Sequence, residues 1–126
     1  MPTPNLFMTY VRDTAASTDF YRELLEVEPV FTSPRYVAFD LGGDALFALW
    51  SGAVEDGLDA APRPATPRTS EVGIMVDGGA AEVDRMFARW SERAAAVVQA
   101  PHDAVFGRTF VIADPDGNLL RVSPRD

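Results

Sequence analysis

Cysteine is absent from this 126-residue chain, which excludes a disulfide framework, a thiolate nucleophile and a thiolate metal site. Histidine occurs once, at His102, and no Ser or Thr has a histidine partner in its local motif, so no hydroxyl nucleophile with an adjacent base is visible. No apolar run approaches the roughly 18 residues of a membrane-crossing helix, and no membrane partner is expected. Basic residues are scarce: 11 Lys and Arg against 19 Asp and Glu leave a net charge of −8 without a basic stripe. A nucleic-acid backbone is therefore not an expected partner. The opening Met1-Pro2-Thr3-Pro4-Asn5 lacks a basic stretch followed by an apolar one, so no secretory signal is read and the cytoplasm is the expected location.

What is present is a pattern written twice. Shifted by 65 positions, Met8-Thr9-Tyr10-Val11-Arg12-Asp13-Thr14-Ala15-Ala16 falls on Gly73-Ile74-Met75-Val76-Asp77-Gly78-Gly79-Ala80-Ala81. Arg35 to Asp40 with Gly43-Asp44-Ala45-Leu46 is answered by Arg108 to Ala113 with Gly117-Asn118-Leu119-Leu120. Identities are few; the order of strand, turn and helix signals is what repeats. With 47% hydrophobic and 24% charged residues, the composition is that of a soluble globular domain rather than a disordered chain.

Within each copy the hydrophobic period switches between two and 3.6. Leu6 to Val11 reads as a strand, and Asp13 or Thr14 caps a helix to about Leu25, with Ala16, Phe20, Tyr21 and Leu24 as its apolar face. Pro29 to Thr32 reads as a short strand, and Tyr36–Leu41 with Ala45–Trp50 as a hairpin across Gly42-Gly43. Pro62, Pro64 and Pro67 mark residues 51–70 as a linker. The second copy supplies a strand from Glu71 to Val76, a helix from about Ala80 to Trp90 with Trp90 in the core, and a short strand at Val97-Val98. His102 falls in a loop after Pro101. A last hairpin pairs Arg108–Ala113 with Leu119–Ser123 across Asp114-Pro115-Asp116-Gly117-Asn118. The expected fold is α+β: two tandem βαβββ modules, residues 1–50 and 71–126, forming an open, cleft-shaped sheet within one domain.

Val11-Arg12-Asp13 leading to Phe20-Tyr21, and Phe106-Gly107-Arg108 leading to Asp114-Pro115-Asp116-Gly117-Asn118, resemble the vicinal-oxygen-chelate superfamily. Its members include glyoxalases, extradiol dioxygenases, and bleomycin and fosfomycin resistance proteins. The resemblance covers essentially the whole chain. Pro34 to Phe39, Gly43 to Ala48, Trp50-Ser51-Gly52 and Phe106 to Phe110 are more narrowly similar to the phenazine-antibiotic resistance proteins. That likeness implies a homodimer that holds a flat drug between aromatic side chains.

Metalloenzymes of the superfamily place one ligand on each of four strands, and matching the motifs puts those positions on Leu6, Ala48, Glu71 and Arg121. Only Glu71 is a donor; Leu6 and Ala48 have no donor atoms, and Arg121 carries a permanent positive charge. No metal or other cofactor is expected. Leu120 and Val122 are apolar, so alternation turns Arg121 to the opposite face; the same parity sets Glu71 apart from Val72, Ile74 and Val76. Glu71 and Arg121 then form a bidentate pair, point separately at solvent, or leave Arg121 to meet a ligand carboxylate.

Alternation along Ala45–Trp50 sets Leu46, Ala48 and Trp50 on one face and Ala45, Phe47 and Leu49 on the other. Because Ala48 matches a former ligand position, Trp50 belongs to the cleft face. There its indole is a stacking surface beside a small residue, or else simple packing. Phe106, Arg35 and Tyr36 are further candidates. Two functions follow from the resemblance: non-catalytic sequestration of a planar aromatic antibiotic such as a phenazine, or a glyoxalase-like lyase or isomerase with Glu71 as general base.

Overall fold

The computed structural model describes residues 4–51 and 70–125 of the chain. They divide between two compact units, residues 1–63 and 64–126. Most of the expected linker, residues 52–69, lies outside the described residues. Each unit is a helix packed on a four-stranded mixed sheet, in the order strand, helix and three further strands. Among the described residues no helix is long and apolar enough to cross a membrane.

The first unit comprises β1 (Leu6–Tyr10), α1 (Thr14–Leu25), β2 (Phe31–Thr32), β3 (Tyr36–Gly42) and β4 (Ala45–Trp50). Its strand order is β1-β4-β3-β2, with β1 parallel to β4 and the other pairs antiparallel. A parallel pair needs a crossover, and α1 lies within it. Asp13 caps α1, its Oδ1 accepting from the Ala16 amide at 3.0 Å, which satisfies one orphan donor of the first turn. The hairpin turns on Gly43-Asp44 rather than Gly42-Gly43. Both central residues have positive φ, 55° and 70°, as a type I′ turn requires.

Helix α1 buries a stripe that shares Tyr21 and Leu24 with the expected apolar face but is rotated away from Ala16 and Phe20. Thr14, Ser17, Thr18, Tyr21 and Leu24 are buried, whereas Ala16 is exposed and Phe20 half-buried. The dominant anchor is Tyr21, whose ring lies 5.0 Å from both Phe20 and Phe47 and pulls the register of the buried stripe onto its own side. Phe39 and Phe47, cross-strand partners on the helix side of the sheet, complete this core with Val37 and Leu49.

The second unit comprises β5 (Val72–Val76), α2 (Gly79–Trp90), β6 (Ala96–Ala104), β7 (Gly107–Ala113) and β8 (Leu119–Pro124), in sheet order β5-β8-β7-β6. Val83, Met86 and Trp90 give α2 an apolar buried face. Phe110 receives the rings of Phe87 at 5.2 Å and Trp90 at 6.3 Å, both edge-on. Strand β6 is longer than the Val97-Val98 signal, because irregular pairing with β7 carries it past Pro101. His102 is thus a strand residue paired with Thr109, not a loop residue. Arg108 ties β7 to α2 through Asp84 at 3.0 Å; that hydrogen bond, offset in part by desolvation, raises the guanidinium pKa.

The Asp114–Asn118 turn is built around one buried carboxylate. Asp114 Oδ1 accepts from the amides of Asp116 at 2.9 Å and Asn118 at 2.8 Å, and Oδ2 accepts from Asn118 Nδ2 at 2.9 Å. Its local sequence supplies every one of these donors, so the turn closes on itself and delivers β8 antiparallel to β7.

Candidate functional site

Strand register decides which side chains share the face of the first sheet turned away from α1. Met8, Ala48 and Ala38 lie side by side across β1, β4 and β3, and so do Tyr10, Trp50 and Tyr36. Phe31 of β2 pairs with Ala38 and therefore belongs to the same face, its ring 5.9 Å from that of Tyr36. The result is a floor of two buried alanines bordered by four aromatic rings and a methionine. Trp50 and Tyr36 are half-buried, while Tyr10 and Phe31 are 37% and 55% exposed. Aromatic side chains exposed in part to solvent are surfaces on which a flat ring can stack.

Of the residues singled out from sequence, Trp50, Ala48 and Tyr36 are brought together here. Leu6 pairs with Leu46 on the same face, 48% exposed. Arg35 goes elsewhere: with Arg12, Thr14 and Ser51 it lines an open groove of ≈ 470 Å³ at the end of the sheet. Tyr10, Phe31 and Ala38 were missed. Tyr10 was accessible through the alternation Leu6, Met8, Tyr10, but its place beside Trp50 depends on parallel register, which no local motif encodes.

In the second sheet the face opposite α2 carries ionic chemistry. Val72 pairs with Leu120 and Ile74 with Val122, which leaves Gly73 and Arg121 paired on the other side. Glu71 sits just before β5 and meets Arg121 in a bidentate contact, Nε to Oε2 at 2.5 Å and Nη2 to Oε1 at 3.4 Å. Arg121 Nη1 also donates to Thr109 Oγ1 at 3.1 Å. Its Cζ lies 5.4 Å from the centroid of the Phe106 ring, a cation–π contact. Glu71, Arg121 and Phe106 thus form one cluster, with Thr109, fully buried on β7, as a member the sequence did not announce.

A divalent cation does not fit these residues. Leu6 and Ala48 offer no donor atoms, and both Glu71 oxygens are engaged by a guanidinium whose charge repels a metal. Among the described residues no three His, Asp or Glu side chains converge into a candidate ligand set. The His102 ring is exposed, with Nδ1 2.9 Å from the Ala100 carbonyl oxygen.

A phenazine antibiotic resistance protein, EhpR, from Enterobacter agglomerans is 49% identical over 127 residues, covering 98% of this chain and 93% of the relative. A solution structure of an Agrobacterium tumefaciens protein superposes with a TM-score of 0.73 at 33% identity, covering 100% of this chain and 99% of the other. A glyoxalase-related enzyme from Fulvimarina pelagi shares the fold, with a TM-score of 0.81 at 20% identity and coverage of 99% and 89%. The family description Glyoxalase/Bleomycin resistance protein/Dioxygenase superfamily matches residues 3–122, and the chain belongs to that superfamily.

Proposed function

We propose that this protein binds a planar aromatic antibiotic of the phenazine type and confers resistance by sequestering it unchanged. The observation that carries the reading is the aromatic face of the first sheet, where Tyr10, Tyr36, Trp50 and Phe31 surround Ala38 and Ala48. The 49% identity to a phenazine antibiotic resistance protein supports the choice of ligand class.

The energetics suffice without chemistry. A base-like ring stacked on an aromatic side chain gains about 1–3 kcal/mol. Micromolar affinity requires roughly −8 kcal/mol, which two stacks and burial of the ring edges against alanine and methionine can reach. Catalysis needs a placed acid, base or metal, and the one carboxylate at a former ligand position is tied to Arg121. We also infer that the protein acts as a homodimer, since edge strand β1 exposes Leu6, Phe7 and Met8 at 48%, 47% and 40%.

Titration with phenazine tests the reading. Trp fluorescence should be quenched saturably, and ligand at about 100 times Kd should add roughly 2.7 kcal/mol of apparent stability. The ligand recovered afterwards should be chemically intact. Turnover of the phenazine, or no binding at all, would sink the proposal; sedimentation as a monomer would sink the dimer.

A further inference from the structure

We propose that the Asp77–Gly78 bond, where β5 hands over to α2, is a site of isoaspartate formation in the folded protein. The inference is independent of any ligand and involves the second unit alone.

The chemistry belongs to the residue pair. The backbone nitrogen that follows an aspartate can attack the carboxylic acid form of its side chain. A bond forms between that nitrogen and Cγ, the amide proton and the carboxyl hydroxyl leave as water, and a five-membered succinimide remains. Water then opens the ring at either carbonyl. Opening at the side-chain carbonyl restores aspartate. Opening at the other leaves the chain running through Cβ and Cγ, with a free α-carboxylate and no net change in mass. Glycine in the following position makes the attack easiest, because no Cβ obstructs the ring.

The chain contains three Asp-Gly pairs, at Asp56, Asp77 and Asp116, and the first lies outside the described residues. The other two differ in the state of the attacking nitrogen. The Gly117 N–H donates to the Asp114 carbonyl oxygen at 2.9 Å, and the Asp116 amide donates to Asp114 Oδ1 at 2.9 Å. Gly117 therefore cannot reach Asp116 Cγ until the turn built on the buried Asp114 carboxylate opens. The Gly78 N–H, by contrast, meets no acceptor among the described residues. Gly78 is the N-cap of α2, and no side chain caps that end of the helix. The Asp77 side chain is 88% exposed and held only by Arg125 Nε, 3.2 Å from Oδ1. An ion pair between two exposed groups is a weak restraint.

The fold also bars a bulkier residue from shielding the bond. Gly78 has a φ of 101°, and a Cβ added there would lie 2.9 Å from Cβ of Glu82. The turn into α2 thus requires the residue that leaves Asp77 most open to attack. Isomerisation inserts one extra backbone carbon at the start of α2. It also presents an exposed α-carboxylate, the group that an isoaspartyl methyltransferase esterifies.

The test is to age the intact protein at physiological temperature and mildly acidic pH, then map its peptides by mass spectrometry with a fragmentation that separates aspartate from isoaspartate. The same protein aged in denaturant supplies the rate of each pair without structure. In the folded protein Asp77 should isomerise within about threefold of its unfolded rate, and Asp116 about tenfold or more below its own. Methyl transfer by an isoaspartyl methyltransferase to the aged, folded protein should label the peptide that holds residue 77, and Asp77→Glu should lose that label. Should the aspartate react too slowly to follow, Asp77→Asn passes through the same succinimide with loss of ammonia, and folding should slow it by no more than about threefold. Equal slowing of the two pairs on folding, or isomerisation at Asp77 only in denaturant, overturns the proposal. Protection of the asparagine variant by folding overturns it equally.

Discussion

The two units share an order of elements and a sheet topology, yet the faces turned away from their helices carry opposite chemistry. In the first, Met8 lies beside Ala48 and Tyr10 beside Trp50; at the corresponding register of the second, Gly73 lies beside Arg121 and Met75 beside Ser123. Rings and methyls on one sheet are answered on the other by an ion pair and hydroxyls set among Met75, Val111 and Ala113. The helix-facing sides do not diverge in this way: Val37, Phe39, Phe47 and Leu49 are matched in kind by Phe110, Ile112, Leu120 and Val122. One face of each sheet is held to its composition by the helix it must cover, and the other is free to take on function. The helices differ as well. Helix α2 buries Val83, Met86 and Trp90, while α1 buries the aliphatic hydroxyls of Thr14, Ser17 and Thr18, those of Thr14 and Ser17 without a hydrogen-bond partner among the described residues.

The sharpest test of this division is to cut the covered face. Phe110 is fully buried under Phe87 and Trp90, and Phe110→Ala should cost about 3–5 kcal/mol in chemical denaturation. A loss below ~1 kcal/mol would mean that the core of the second unit does not depend on this side. Next in size is Asp114→Ala, which strips the acceptor from three donors of a turn the first unit lacks. Hydrogen bonds to a charged group suggest a loss of about 2 kcal/mol, with Asp114→Asn retaining part of it. Neutral behaviour of the alanine variant would show that the turn closes without its carboxylate.

On the face proposed to bind the drug the expected signature is the reverse. Trp50→Ala should weaken phenazine binding by at least about 1 kcal/mol and leave the protein folded. Phe47, three residues away on the same strand but against Tyr21, should when changed to alanine cost stability instead. Equal stability losses in the two variants would erase the distinction between the faces.

These contrasts also mark what could be read in the chain itself. Hydrophobic period and turn residues locate the helices and most strands, and strand parity places Arg121 away from the helix, because local spacing controls both; Trp50's face needs the resemblance at Ala48 as well. Two residue types at matched positions allow a bidentate Glu71–Arg121 contact as one of three arrangements, and the structure has that one. Beyond one strand the reading failed. Phe31 and Tyr10 join Trp50 only through register between β2, β3, β4 and β1, and Thr109 meets Arg121 only because β7 lies beside β8. The buried stripe of α1 departs from the apolar count, which favours Ala16 and Phe20, because packing of Tyr21 on Phe47 brings Ser17 and Thr18 inward.

That stripe supplies the smallest and most discriminating prediction. Ser17 is 1% exposed, and its hydroxyl has no hydrogen-bond partner within the described residues. A buried, unsatisfied hydroxyl costs free energy, and serine is a poorer helix former than alanine. Ser17→Ala removes both penalties and leaves a void no larger than one oxygen atom. Stability should therefore rise, by about 0.5–1 kcal/mol, the reverse of the usual effect of truncating a buried side chain. Val83→Ala, at a fully buried position of α2, should instead destabilise by about 1–3 kcal/mol, since it removes only well-packed methyls. Denaturation midpoints of the two variants measured side by side decide the matter. If Ser17→Ala loses stability as Val83→Ala does, the hydroxyl is satisfied by a buried water, and the first unit is packed as completely as the second.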